Sequence, residues 1–225
     1  MISRHMCATA ICLAGLTVCA LAPSLRAVEV KLEVSEAAEI ARTPAVVTSG
    51  IPFARGALKD VSRLSVRAGG KALPAQFAKT VQWDDGSVRW VLMDTQVELE
   101  AAKTVDLVVA DSGGNPAPDS PVNVEETDDA VTMSTGPLVV VLGRKKPGLI
   151  GSLKVDGKEL LTSSGRGLVL VKAGGGEVLA SPPAEVRVEH AGPMRATVCL
   201  RGSFRGVHQG LLRYTARVSA FAGGR

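Results

Sequence analysis

The sequence predicts an all-β protein in two domains, each of the barrel or sandwich kind. Three observations predict this. Short runs that alternate apolar and polar residues recur after residue 27, each closed by Gly, Pro or Asp, as half-buried strands require. No stretch combines amphipathic helical spacing with capping residues, and "SEAAEIA" (35–41) offers one turn at most. Between them, "DSGGNPAPDSP" (111–121) has a composition that cannot carry a regular ladder and reads as a linker. It divides residues 28–110 from residues 122–225.

Residues 1–27 stand outside that frame. Arg4 and His5 precede the uncharged apolar run Met6 to Ala22, and "LRA" ends at Ala27 as a cleavage site does. A run approaching the ~20 residues of a spanning helix leaves an uncleaved anchor as the alternative. Pro23 and its small neighbours favour cleavage, so export is expected, to the periplasm or outside the cell, with no stable membrane anchor after cleavage. Cys7, Cys12 and Cys19 then leave with the signal, and Cys199 alone remains. That excludes an internal disulfide and a thiolate metal centre.

The first domain opens on "VEVKLEV" (28–34), alternating with period two, and continues through "LSVRA", "SVRWVLM" and "TVDLVVA". Both tryptophans fall in "QWDDGSVRWV" (82–91), in a chain that is only 3% aromatic. A two-residue turn at Asp85-Gly86 suits residues that accept positive φ. It would put Val81, Trp83, Val88 and Trp90 on one face and Gln82, Asp84, Ser87 and Arg89 on the other. The expectation is that both rings are core, with Trp83 the better of the two as a sugar platform. Soluble sugar would then leave their fluorescence unchanged.

The second domain repeats the style in "PLVVVLG", "LIGSLKVDGKELL", "GLVLV", "AEVRVEH", "MRATVCLRG" and "LRYTARVSAF". Without Arg4 and Arg26 the chain carries 24 basic and 22 acidic residues, a net charge of +2. That balance, with no aromatics among the basic residues, excludes a nucleic-acid surface. The distribution is uneven. Arg195, Arg201, Arg205, Arg213, Arg217 and Arg225 follow Glu189 with no carboxylate among them, so the expectation is either that something acidic meets this end or that their partners lie in chain that is absent. "EETDD" (125–129) lacks regular calcium-ligand spacing and reads as a solvated loop. No nucleophile elbow, phosphate loop or zinc signature is present, so no cofactor or metal is expected.

Three phrases of the first domain, "VVTSGIPFARGALKD" (46–60), "GGKALPAQF" (69–77) and "QWDDGSVRWVLMD" (82–94), resemble in order and spacing the exo-rhamnogalacturonan lyase-like (PcRGLX/YetA-like) family. The resemblance implies a small RIFT-type β-barrel there. "STGPLVVVLGRKKPGLIGSLKVDGKELL" (134–161), "VRVEHAGPMRATVCLRGSF" (186–204) and "LLRYTARVSAFAGG" (211–224) resemble that family's central β-sandwich, with a hairpin at Asp156-Gly157-Lys158. In the family a helical-barrel domain follows, and the lyase chemistry is expected in it.

The implied reaction is β-elimination on rhamnogalacturonan, an acidic pectin. It needs a base at the sugar C5 and a cation for the uronate as charge develops. The mature chain offers His190, His208 and Tyr214 as candidate bases, and no family catalytic motif maps onto them, so no catalytic residue is assigned. Arg55, Trp83, Arg144 and Lys145 are the candidate carbohydrate contacts, each also readable as an ordinary loop or hairpin-tip residue. The expectation is a truncated chain ending in an incomplete sandwich. It would be the non-catalytic N-terminal portion of an exported polysaccharide lyase-like protein, a scaffold for a catalytic domain. The alternative is a stand-alone exported carbohydrate-binding or interaction module. Expected partners are an acidic polysaccharide and that C-terminal domain.

Overall fold

A computed structural model describes residues 28–161, 166–206 and 212–224. Residues 1–27, on which the signal reading rests, and His208 lie outside the described residues. The fold is all-β among the described residues, with a single turn of 3-10 helix at Val61–Arg63.

The first domain closes two sheets over one core. One sheet runs β1-β7-β3-β4, built from β1 (Glu29–Ser35), β7 (Thr104–Asp111), β3 (Leu64–Ala68) and β4 (Lys71–Ala72). The other runs β2-β6-β5, with β2 (Arg42–Pro52), β6 (Val88–Leu99) and β5 (Ala75–Gln82). Ile51, Leu64, Val66, Val88, Val91, Met93, Leu107 and Val109 are almost wholly buried between them. The edge strand β2 accommodates Pro44 where its register with β6 shifts, between Arg42 and Ala45.

Residues 35–41 do not form a helical turn. The Glu36 carboxylate turns inward and accepts N–H groups from Ala38 (3.0 Å), Ile40 (3.1 Å) and, across the domain, Ala102 (3.3 Å). A buried carboxylate with several donors organises this loop in place of helical bonds. Burial pushes the Glu36 pKa up, but those three donors and Arg42 outweigh it and hold it below the usual value.

Asp111 still pairs with Leu64 at the end of β7, but residues 112–121 carry no ladder, in keeping with their composition, yet they are strapped to the barrel. Asn115 accepts the Val66 N–H (3.1 Å) and donates to the Leu64 carbonyl (2.7 Å), acting as a substitute strand partner for β3. Gly113 N–H reaches the Arg63 carbonyl (2.7 Å).

In the second domain a five-stranded sheet, β12-β11-β10-β9-β8, comprises β8 (Asn123–Glu126), β9 (Ala130–Ser134), β10 (Leu138–Gly143), β11 (Ser152–Val155) and β12 (Lys158–Glu159). A three-stranded sheet contains β15 (Glu185–Ala191), β16 (Arg195–Ser203) and β17 (Arg213–Phe221), and β13 (Val169–Val171) pairs with β14 (Glu177–Leu179). Val131, Met133, Val140 and Leu142 from the first sheet share a core with Ala196, Val198, Leu200 and Ala220 from the second and with Met194 just before β16. This is sheet-on-sheet packing with alternating inward residues. Cys199 is buried on the central strand β16 and unpaired.

Candidate functional site

The hairpin joining β5 to β6 does not use the two-residue turn its sequence suggests. Gly86 N–H donates to the Trp83 carbonyl (2.9 Å) and Trp83 N–H to the Ser87 carbonyl (2.8 Å), so Trp83 faces Ser87 across Asp84, Asp85 and Gly86. Gly86 takes φ of 79°, the left-handed position a type I turn followed by a bulge demands. Asp85 fixes the turn by accepting both the Ser87 hydroxyl (2.5 Å) and the Ser87 N–H (3.0 Å). These bonds hold its pKa below the ordinary carboxylate value.

The longer loop changes which side chains reach the core. Gln82 pairs with Val88 and Val81 with Trp90, which leaves Arg89 as an extra residue on β6; Thr80 is the extra residue on β5, one pair earlier. Each bulge resets the alternation. Val88 is therefore fully buried, whereas Trp90 and Val81 lie on the outer face, 40% and 44% exposed. The expectation that Trp90 belongs to the core is overturned here: a bulge turned it out.

Trp83 is half-buried and anchored at the barrel end. Its indole N–H donates to the Phe53 carbonyl (3.1 Å). The Arg89 guanidinium lies 4.5 Å from its ring centroid and that of Arg55 lies 5.4 Å away. Arg55 also pairs with the exposed Asp84 at 3.3 Å. The structure thus brings Arg55 and Trp83 together at one tip.

Arg144 and Lys145 are in the other domain, and each has a local partner. Arg144 donates to Glu126 (2.5 Å) and to the Val186 carbonyl (2.9 Å), and Lys145 to Asp129 (2.7 Å). Those contacts engage Glu126 and Asp129 of the acidic 125–129 run, and among the described residues no cluster suited to a metal ion is found.

The most heavily buried polar cluster was not read from the sequence. It lies where the domains meet, on the outer face of β2-β6-β5. Asp94 of β6 accepts the Thr48 hydroxyl (2.6 Å) and sits 3.1 Å from Nε of Arg195, with side chains 1% and 12% exposed. Beside it the Gln76 amide bridges the domains. Its Oε1 accepts Met194 N–H (3.1 Å) and Arg195 N–H (3.0 Å), while Nε2 donates to the Arg195 carbonyl (3.3 Å). Gln96 donates to the Ala222 carbonyl (2.6 Å). Gly192 makes the approach possible, since a Cβ there would stand 2.2 Å from the Gln76 amide.

Three of the late arginines find acidic partners within the chain: Arg195 pairs with Asp94, Arg201 with Glu185 (3.3 Å), and Arg217 with Glu189 (2.7 Å). Pairing within the β15-β16-β17 sheet brings the last two pairs together, and packing of the two domains the first.

Of the candidate bases, His190 borders this seam. Burial lowers its pKa, Arg195 adds to the shift, and Asp94 and Glu189 oppose it. A neutral imidazole could accept a proton, but the cation beside it already neutralises Asp94 and is nearly inaccessible. Tyr214 donates to the Ser181 carbonyl (3.2 Å), packs edge-on against Phe204, and has its pKa raised by burial. Neither is joined to an open cation in the arrangement that elimination requires.

Comparison with known proteins gives this architecture a family. Residues 30–109 match the PcRGLX-like N-terminal RIFT barrel domain, and residues 122–225 match the PcRGLX-like protein central beta sandwich domain. The chain belongs to the PcRGLX-like family. This PcRGLX-like chain is 23% identical over 190 residues to the uncharacterized protein YetA of Bacillus subtilis (strain 168), a match that takes in 79% of the chain. It spans 22% of that relative's length. Among solved structures, an alpha-mannosidase from Enterococcus faecalis V583 aligns with 89% of this chain and 29% of its own, at 11% identity and a TM-score of 0.31. Barrel and sandwich, expected from the strand pattern and the resemblance, are both present.

Proposed function

We propose that the two β domains form a non-catalytic platform of an exported polysaccharide lyase-like protein acting on acidic, pectin-type chains. Their role is to hold a catalytic helical-barrel domain in place. The observation that carries this reading is the Asp94–Arg195 seam. A buried ion pair, flanked by the Gln76 and Gln96 bonds, couples barrel to sandwich in one register and suits a part whose task is positioning. The engagement of Tyr214 and Arg195 in structural contacts supports a non-catalytic role for these domains. Export is part of the proposal and rests on the Met6 to Ala22 apolar run and its "LRA" site.

The test is to incubate the purified chain with rhamnogalacturonan and follow formation of the unsaturated uronide. None is expected. Product that disappears in His190→Gln or Tyr214→Phe would place a working base in these domains and overturn the proposal.

A further inference from the structure

We propose that the outer face of the β15-β16-β17 sheet is a docking surface for a second protein, one that presents carboxylates. The inference goes beyond the platform reading above by naming a surface and the chemistry of what meets it. Lyase activity in the preceding test would leave it standing.

The register of the three strands assembles this face. Ala196, Val198 and Leu200 of β16 belong to the sandwich core, so Arg195, Thr197, Cys199 and Arg201 lie on the opposite side. Arg187 of β15 and Arg217 of β17 stand opposite Cys199 on either side, and Glu185 and Thr215 stand opposite Arg201. The register shift between Val188 and His190 leaves Glu189 as an extra residue. Its carboxylate reaches both Arg187 (3.0 Å) and Arg217 (2.7 Å). Glu185 lies 3.8 Å from Arg187 and 3.3 Å from Arg201. One chain of ion pairs therefore runs Arg201–Glu185–Arg187–Glu189–Arg217 over all three strands.

The cations are the more accessible members of this chain. The Glu189 side chain is 15% exposed, against 57%, 47% and 54% for Arg187, Arg201 and Arg217. Each of these guanidiniums engages at most two of its three nitrogens, Nε and Nη2 in Arg187 and Arg217 and Nη1 in Arg201, and keeps a donor for an incoming group. Arg213, on the same side of β17 by alternation, has no ion pair among the described residues. Four guanidiniums thus stand against two carboxylates on this part of the face.

The occupant follows from what already meets the sheet. At the barrel end of the face, Arg195 is answered by a carboxylate from another domain, Asp94, at 3.1 Å. Arg201 lies farther along the same strand, about 20 Å from Arg195 at the rise of an extended chain, and there the guanidiniums are open. The face therefore continues an existing protein contact with the same chemistry. Guanidinium forks bind carboxylates bidentately, and arginine is enriched in protein interfaces. Glu185 and Glu189 interleave with the cations, which disfavours an unbroken polyanion and suits spaced carboxylates. Arg187 and Arg217 sit two strand spacings apart, about 10 Å. Carboxylates two turns apart on a helix are separated by about the same distance.

The experiment follows the fluorescence anisotropy of a labelled alanine-based helical peptide with glutamates one and two turns apart, and of its glutamine counterpart, at about 0.05 M salt. Saturable binding of the glutamate peptide alone is expected. Arg217→Gln and Arg201→Gln should each weaken it about fivefold, the upper end for an exposed ion pair, with circular dichroism unchanged. Arg201→Gln is the safer variant for folding, because Glu185 keeps Arg187. Arg67→Gln, on β3 of the barrel, should leave binding as it is. No saturable binding, equal binding of both peptides, or binding unmoved by either sandwich substitution would overturn the surface. Tighter binding of polygalacturonate or of phosphatidylserine vesicles, weakened by the same substitutions, would also overturn it and assign the face to a sugar or a membrane. So would concentration-dependent dimerisation lost in Arg217→Gln, since the face would then serve a second copy of the chain.

Discussion

Asp94 of the barrel and Arg195 of the sandwich lie 3.1 Å apart with almost no solvent access, each the other's counter-charge across the domain boundary. Removing one partner of such a pair leaves a charge uncompensated in a buried place, which costs about 3–5 kcal/mol, whereas replacing both by apolar groups costs far less. Denaturant unfolding should therefore show Arg195→Ala and Asp94→Leu each strongly destabilising. The Asp94→Leu/Arg195→Leu double variant should cost less than the sum of the single changes. Additive costs would mean that the two side chains act independently.

Gly192→Ala probes the same boundary sterically. The new methyl would occupy the position of the Gln76 amide, 2.2 Å away, and displace the bonds that amide makes to Met194 and Arg195. Leaving those backbone N–H groups without partners costs about 1–3 kcal/mol each where water cannot replace them. A lower thermal midpoint is expected, with barrel and sandwich secondary structure retained in circular dichroism. An unchanged midpoint would mean that Gln76 does not join the domains.

His190 supplies a pH dependence. Its folded pKa is below the ordinary 6.5, through burial first and then Arg195, with Asp94 and Glu189 in opposition. The unfolded chain therefore binds this proton more readily than the folded one. The contribution of His190 is intact above pH 6.5 and is lost as pH falls from 6.5 through the lower folded value. Glu36 and Glu189, both held below 4.5, lose their contributions only at more acid pH, so the upper window belongs to the imidazole. Stability measured between pH 7.5 and 5 should fall in the parent chain and fall less in His190→Gln. Equal slopes would show that neither burial nor Arg195 lowers the His190 pKa in the folded chain.

The tryptophans should separate in stability. Trp90, outside the core, should cost about 1 kcal/mol or less on replacement by Ala, as exposed positions do. Its neighbour Met93, fully buried, should cost about 2–5 kcal/mol. Comparable losses at the two sites in urea unfolding would contradict the outward placement of Trp90.

These two residues also show what the sequence discloses and what it hides. Val91, Met93, Val97 and Leu99 alternate as an inward face, and the same alternation identified β1, β3 and β7, because local periodicity is enough where a strand is regular. Around Trp90 it fails. Two bulges and a longer turn shift the phase, and a one-residue slip exchanges the faces of a strand. β2 was hidden for another reason: Pro44, Gly50 and Pro52 are signals against a strand, and only its edge position and register shift tolerate them. The seam lay beyond any local reading. Its one trace is Asp94, a carboxylate that directly follows the apolar run Trp90 to Met93 in β6, while its partner Arg195 lies in the other domain and is named only by the packing of the two.

The central claim is that barrel and sandwich are one mechanical unit, held by Asp94, Arg195 and Gln76. Calorimetric unfolding of the parent chain at pH 7.5 tests it most directly. A single transition is predicted, with calorimetric and van't Hoff enthalpies equal, giving way in Arg195→Ala to two separated transitions. Two independent transitions in the parent chain, unmoved by Arg195→Ala, would contradict it.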